Sequence, residues 1–375
     1  MNPINLFVPT YRIEETLAAI RECLEKGWTG LGWKTLEFEQ AWKEYTGLRH
    51  AHFVNSGTAA LHLAVKLLKD QDGWRDGDSV ITTPLSFVST NHVLFYERLW
   101  PVFADVDQYL CLDPQSVEDL ITPRTRAVMF VGLGGNTGQL EAIAKICDKH
   151  GLRLIIDAAH MAGTRHYGNM VWMSYGDARC FSFHSVKNLP TADSGMVCMR
   201  DGELDERARR LSWLGISKDT YSRTISNGAY RWQYDVPEVG YKYHSNSIMA
   251  AMAMVGLRYL DQDNAYRRQI AAWYDELLPD VRKVPVAPHC ESSRHLYQVL
   301  VRNRDQVILA LHNQGVFSGV HYGLHTGYLM YDGNCPRAQA YAAEVLSLPI
   351  HLRMSHADVV RVSDALKESC GGAHA

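Results

Sequence analysis

Two residues thirty positions apart, Asp157 and Lys187, could do chemistry together. The apolar run Leu154-Ile155-Ile156 ends in Asp157-Ala158-Ala159-His160, so a carboxylate sits at the end of a buried strand. Further on, Phe181-Ser182-Phe183-His184-Ser185-Val186-Lys187 places a lysine just past an aromatic strand. A lysine can form a Schiff base with an aldehyde. A carboxylate can hold a pyridinium nitrogen protonated, so that the ring accepts electrons. Together these are the demands of pyridoxal phosphate (PLP). A lysine in a largely buried setting also has a lowered pKa, which a Schiff-base lysine requires.

Other short segments suit the same cofactor. Asn55-Ser56-Gly57-Thr58-Ala59 follows a strand and opens a helix. The unpaired N–H groups of a helix N-terminus attract phosphate, and Gly57 lets the backbone come close. An ordinary Ser/Thr cap explains that segment equally well. Ser182 could add a hydroxyl to the phosphate. Phe87 follows another strand and could stack on a ring, although core packing would explain it as well.

Two competing motifs are weak. Gly132-Leu133-Gly134-Gly135-Asn136-Thr137-Gly138 invites a dinucleotide site with Asp157 on a ribose. The fingerprint G-x-G-x-x-G, however, needs glycine where Thr137 stands. An NAD-dependent dehydrogenase would also leave Lys187 unexplained. His321 and His325 have the i, i+4 spacing of a metal pair on a helix, but Gly319, Gly323 and Gly327 oppose a helix there. No metal is expected, and these histidines read instead as a site wall. His50, His52 and His356 read as surface or capping residues. The stretch Ile216–Val239, with Tyr221, Arg223, Tyr230, Arg231, Trp232 and Tyr234, reads either as a loop for an anionic substrate or as a self-packed loop.

The elements around these residues alternate. Strands are expected at Ala51–Val54, Ser79–Thr82, Pro101–Ala104, Ala127–Val131, Arg153–Ile156, Ala178–Ser182 and Gly195–Met199. Helices are expected at Glu14–Lys26, Ala59–Lys69, Ser86–Glu97, Gln139–His150 and Glu203–Leu214. This pattern predicts an α/β domain with a largely parallel sheet, whose ligands bind beyond the strands' carboxyl ends. Ser247–Leu278 reads as a long helix with a break near Asp261–Asn264. Beyond it come a strand (Leu296–Val301), a helix (Asp305–Gln314), a strand near Gly319–Tyr322 and helices at Arg337–Leu346 and Ser355–Glu368. The expected division is a large domain, residues 1–255, and a small C-terminal α+β domain, residues 256–375.

Composition narrows the class. The chain has 375 residues and a formal net charge of −3 with both signs interspersed, which gives no reason to expect nucleic acid. No apolar run approaches the roughly 18 residues of a membrane span, and with neither a basic region nor a long apolar stretch in Met1–Thr10 no signal peptide is expected. The eight cysteines are scattered without a C-x-x-C pair, so the expected location is a reducing cytoplasm.

Taken in order, the segments resemble the DegT/DnrJ/EryC1/StrS sugar aminotransferases, which are PLP enzymes of fold type I (aspartate aminotransferase-like). The likeness runs from Trp28-Thr29-Gly30-Leu31-Gly32 through Asn55–Leu61, Pro101–Asp107 and Asp157–His160. It is strongest at Phe181–Leu189 and continues through Gly240–Asn246, Gly319–Tyr322 and Leu346–Pro349. The resemblance implies that Lys187 is the Schiff-base lysine and proton shuttle and that Asp157 pairs with the ring nitrogen. It implies that His160, in place of a frequent glutamine, contacts the ring hydroxyl and that Phe87 stacks on the ring. Ser56, Gly57, Thr58 and Ser182 would bind the phosphate. It also implies a homodimer with shared sites, in which Lys242 or Asn246 reaches the partner's phosphate. Trp28, His184, Arg231, His321, Tyr322 and His325 are the substrate candidates.

The implied reaction moves an amino group from glutamate to a keto-sugar, nucleotide-linked, in two half-reactions. Lys187 argues against the dehydratases of the family, which carry histidine there. A cyclitol acceptor and a non-catalytic PLP-binding regulator are alternatives. Where relatives carry Gly-Glu-Gly-Gly, this chain has Ala192-Asp193-Ser194-Gly195, and the departure touches the acceptor more than the cofactor.

Overall fold

The computed structural model describes residues 2–217 and 234–371. A seven-stranded sheet organises the first two-thirds of the chain, in the order β1-β8-β7-β5-β4-β2-β3. The strands are β1 (His52–Val54), β2 (Ser79–Thr82), β3 (Trp100–Phe103), β4 (Thr125–Val131), β5 (Arg153–Asp157), β7 (Ala178–Ser182) and β8 (Gly195–Met199). A two-residue β6 (Arg165–His166) lies outside this sheet and pairs with β9 (Cys290–Glu291). β8 alone runs against its neighbours. The parallel strands therefore all release their chain at one edge, which is where the expected site residues follow them.

Helices cover both faces, as a sheet rich in fully buried strands requires. One apolar core includes Phe38, Trp42, Phe53, Phe130, Ile156, Phe181 and Phe183. The core on the other face includes Leu61, Leu63, Leu67, Met129, Ile155 and Val197. Consecutive residues Ile155 and Ile156 enter opposite cores, as the two-residue period of a strand dictates. Trp42 packs edge-on against Phe181 and Phe183, with ring centroids 4.9 and 5.2 Å away. The strand that leads to Lys187 is thereby clamped.

The 31-residue helix Ser247–Leu277 is continuous, against the expected break at Asp261–Asn264. Its polar residues there are satisfied from outside the helix. Asp263 takes both guanidinium nitrogens of Arg12 at 2.6 and 2.7 Å, and Asn264 bonds to Asn188 and to the Ala162 carbonyl. The helix gives Ala250, Ala253 and Leu260 to the first core and Ile270, Ala271 and Tyr274 to a third. That third core also holds Tyr297, Val299, Leu346, Leu348, Val362 and, from the far N-terminus, Ile4.

Four local readings are corrected. Residues Trp33–Thr46, unassigned from sequence, form a helix. The helix expected over Arg337–Leu346 ends at Glu344, and Val345–Leu348 becomes a strand paired with Tyr297–Leu300. The segment 319–322 makes only an isolated bridge, Gly319 to Ser347. His52, expected at the surface, is buried between Glu39 at 3.1 Å and Ser212 at 2.6 Å. No described helix is long and apolar enough to cross a membrane.

Candidate active site

The carboxyl edge of the sheet surrounds a cavity of about 350 Å³. Ser56, Gly57 and Thr58 line it after β1, Ser86 and Phe87 after β2, Asp157 at the end of β5 and His160 just beyond it. Ser182 ends β7, His184 and Lys187 follow it, Asp193 enters before β8, and His321 and Tyr322 come from the C-terminal region. Register explains the convergence. Ser182 pairs with Gly195, and Gly195 with Val54, so the ends of three strands lie in one row. A Cβ on Gly57 would come within 2.9 Å of the Ser182 Cβ, and one on Gly195 within 2.5 Å of the Ser56 carbonyl. Glycine is what allows this approach.

Asp157 is buried and held from two sides. Thr90 Oγ1 donates to Oδ2 at 2.8 Å, and the Ala159 N–H donates to Oδ1 at 3.1 Å. Ser86 lies 2.7 Å from Thr90 and extends the chain of hydroxyls. Burial still raises the Asp157 pKa, with these bonds and the charge of Lys187 opposing it. Burial lowers Lys187 to about 8, against the pull of Asp157. The two share the cavity, yet no salt bridge joins them among the described residues. A cation placed between them, on the Asp157 side, would relieve the carboxylate.

The residues fit PLP. Phe87 is 57 % exposed although large and apolar, because it faces the cavity. The helix Gly57–Asp72 begins at the cavity with its first N–H groups. Ser56 caps it by accepting from the Ala59 N–H at 3.1 Å, which is the ordinary cap reading, and the remaining first-turn N–H groups face the cavity side of the helix start. Below Lys187, Asn188 is buried and fully bonded. Its Nδ2 donates to Asn264 Oδ1 and the Ser293 carbonyl, both at 2.7 Å, and its Oδ1 lies 3.1 Å from His295 Nδ1. That node fixes the lysine loop to the long helix and to the C-terminal region.

Several candidates lie elsewhere in this chain. His325 does not line the cavity: it is buried, takes a bond from Asn91 at 2.7 Å and stacks on Tyr331. Its backbone N–H donates to the Pro84 carbonyl at 2.9 Å, which seats it beside Asn91 instead of on the cavity wall. Trp28 donates its indole N–H to the Leu31 carbonyl at 2.7 Å, outside the cavity. Lys242 lies over the Trp213 ring at 3.4 Å, and Asn246 caps the long helix. Neither reaches the cavity of its own chain. Arg231 and most of the aromatic-basic stretch around it lie outside the described residues. Thr90, Ser86 and Asp193 went unassigned from sequence. Thr90 lies one helical turn beyond Phe87, but nothing in the local sequence ties it to Asp157, 67 positions on.

A larger open groove, about 1060 Å³, lies at the opposite end of the strands. In it, Arg153 bonds both Asp72 and Asp177 at 2.8 Å. All eight cysteines are free, and no cluster of metal-binding residues occurs among the described residues.

Residues 11–367 match the DegT/DnrJ/EryC1/StrS aminotransferase family. The chain belongs to that family. It is 35% identical over 378 residues to the spore coat polysaccharide biosynthesis protein SpsC of Bacillus subtilis, covering 96% of this chain and 95% of SpsC. The crystal structure of the aminotransferase TlmJ from Streptoalloteichus hindustanus superposes with a TM-score of 0.90 at 33% identity, covering 98% of this chain and 99% of TlmJ. Helicobacter pylori PseC, an aminotransferase in pseudoaminic acid biosynthesis, gives a TM-score of 0.90 at 26% identity, covering 99% and 100%. The fold is therefore the fold type I of PLP-dependent enzymes, and the chain is a PLP-dependent aminotransferase.

Proposed function

We propose that the enzyme transfers the amino group of glutamate to a nucleotide-linked keto-sugar in two half-reactions. The observation that carries this reading is the pair of buried, mutually unpaired charges, Lys187 and Asp157, on one cavity beside the exposed ring of Phe87. Sugar as the acceptor class draws support from SpsC and PseC, whose names place them in polysaccharide and pseudoaminic acid biosynthesis.

PLP, when bound, supplies an electron sink that stabilises charge at the carbon losing its proton. The chain's residues do the rest. Asp157 holds a ring-nitrogen proton, and Thr90 and the Ala159 N–H keep the carboxylate in place. Phe87 covers one face of the ring. Gly57 and Thr58 present backbone N–H groups to the phosphate, and Ser182 adds a hydroxyl. Lys187 anchors the cofactor at rest. Once displaced, it takes the amino donor's α-proton with a pKa near operating pH, which favours a general base. With water supplying the keto oxygen, glutamate would leave as 2-oxoglutarate and its amino group would stay with the cofactor; the sugar ketone would then take up that amino group, its oxygen leaving as water, with Lys187 returning the proton.

We further propose a homodimer in the cytoplasm, with no nucleic acid or membrane partner. In it, Lys242 or Asn246 of one subunit completes the phosphate site of the other. Both being outside their own cavity suits that role. We propose a division at residues 1–255 and 256–375, hinged on the long helix.

Glutamate added to the PLP-loaded enzyme should bleach its visible absorbance within minutes. Nucleotide-linked keto-sugars, screened one by one, should restore it. No bleaching with glutamate while another amino acid succeeds would overturn the donor. Restoration by cyclitol ketones alone would overturn the acceptor.

A further inference from the structure

The hydrogen bonds around His160 assign it a role different from direct contact with the cofactor. Its Nδ1 accepts from the Gly134 N–H at 3.2 Å, and its Nε2 lies 3.1 Å from Tyr322 Oη. Burial, helped by the charge of Lys187, pushes the His160 pKa far down, so the ring is neutral and carries one proton. With Nδ1 accepting, that proton is on Nε2 and is donated to Tyr322 Oη. Both ring nitrogens are then in use.

Tyr322 remains a protonated phenol, since burial and the charge of Asp157 push its pKa up. Its oxygen receives a bond from His160, and its own proton is left to give. Tyr322 lines the cavity together with Asp157, Phe87 and Lys187. Phe87 is 6.0 Å from it, ring centroid to centroid.

We propose that Tyr322, and not His160, donates the hydrogen bond to the phenolate oxygen of bound PLP, and that His160 is the positioning residue that turns the tyrosine proton toward it. This rests on the cofactor assignment above. The bond has a second consequence. His160 stands at the end of β5, whereas Tyr322 comes from the C-terminal region, where Gln298 Nε2 donates to the His321 carbonyl at 2.8 Å. Seating of that region on the sheet edge thus completes the donor.

A donor on the phenolate oxygen draws charge from it and weakens its hold on the proton of the neighbouring lysine–cofactor nitrogen. That proton then leaves at lower pH. The other titratable groups facing the site are Asp157, Lys187, His184, Asp193 and His321. His295 packs on His160 with ring centroids 4.2 Å apart. Tyr322→Phe leaves all of them in place.

The test is a pH titration of the visible absorbance of the PLP-loaded enzyme, its Tyr322→Phe and His160→Gln variants, and the double variant. Tyr322→Phe should raise the midpoint by about one pH unit or more, the scale of a hydrogen bond to a charged group. The double variant should rise no further than Tyr322→Phe alone. An unmoved midpoint in Tyr322→Phe, with a shift in His160→Gln, would overturn the proposal and return the contact to His160. The cofactor-free wild-type protein gives a second readout. Nitrogen NMR should find the His160 proton on Nε2; a proton on Nδ1 would overturn the proposal, because Tyr322 would then spend its proton on His160. A protein that gains no visible absorbance with PLP would contradict the cofactor assignment itself, and this proposal with it.

Discussion

The two ends of the central sheet treat charge in opposite ways. At the amino end, Arg153 bridges Asp72 and Asp177, and the bond from Arg153 holds the Asp72 carboxyl below its usual range. At the carboxyl end, Asp157 and Lys187 are desolvated without a salt bridge between them, and each is pushed toward its neutral form. Paired charges hold the fold and are partly exposed. Unpaired buried charges cost stability, and a protein retains them where a ligand or a reaction supplies the missing partner.

That contrast breaks most visibly at Lys187. Lys187→Ala should lower transamination by at least about 10⁴-fold, combining the loss of the anchor and of the proton carrier, while the protein still folds. Retained turnover in that variant would remove the mechanism. Asp157→Asn should cost roughly 10²- to 10³-fold, because the ring nitrogen loses its anionic partner; kcat measured with saturating PLP separates this from weaker cofactor binding. Thr90→Val removes one of two bonds to Asp157 and should cost about tenfold.

The same charges shape stability against pH. Lys187 folded titrates near 8, below its unfolded value, so between those two values the unfolded chain holds more protons. Stability of the cofactor-free protein should therefore rise as pH climbs from about 8 to 10, and Lys187→Met should flatten that rise in thermal melts. At the other end of the sheet, Arg153→Ala should change stability by about 1 kcal/mol or less and leave kcat unchanged. A large loss of activity there would erase the distinction between the two ends.

The sheet was legible because its strands are short apolar runs. Gly195–Met199 and Ala178–Ser182 match their expected bounds, and Arg153–Ile156 differs only by Asp157. The helix Trp33–Thr46 was not legible, because its buried face mixes Phe38 and Trp42 with Lys34, Thr35 and Glu39. A buried Glu39 breaks the apolar stripe on which periodicity depends, and its partner Arg209 lies far along the chain. At the site, Asp157 and Lys187 were legible because the one ends a buried strand and the other closely follows one. Thr90 meets Asp157 across 67 positions, a contact no local pattern records. His325 misled for the same reason: it was read as site wall with His321, but its N–H bonds the Pro84 carbonyl and its ring meets Asn91, 234 positions away, contacts that no local pattern records.

The central claim is that Lys187 carries the cofactor. Borohydride reduction of the PLP-loaded enzyme, followed by proteolysis and mass mapping, tests it directly. The account predicts one cofactor-bearing peptide, modified at Lys187. Modification at any other lysine, or none, would contradict it.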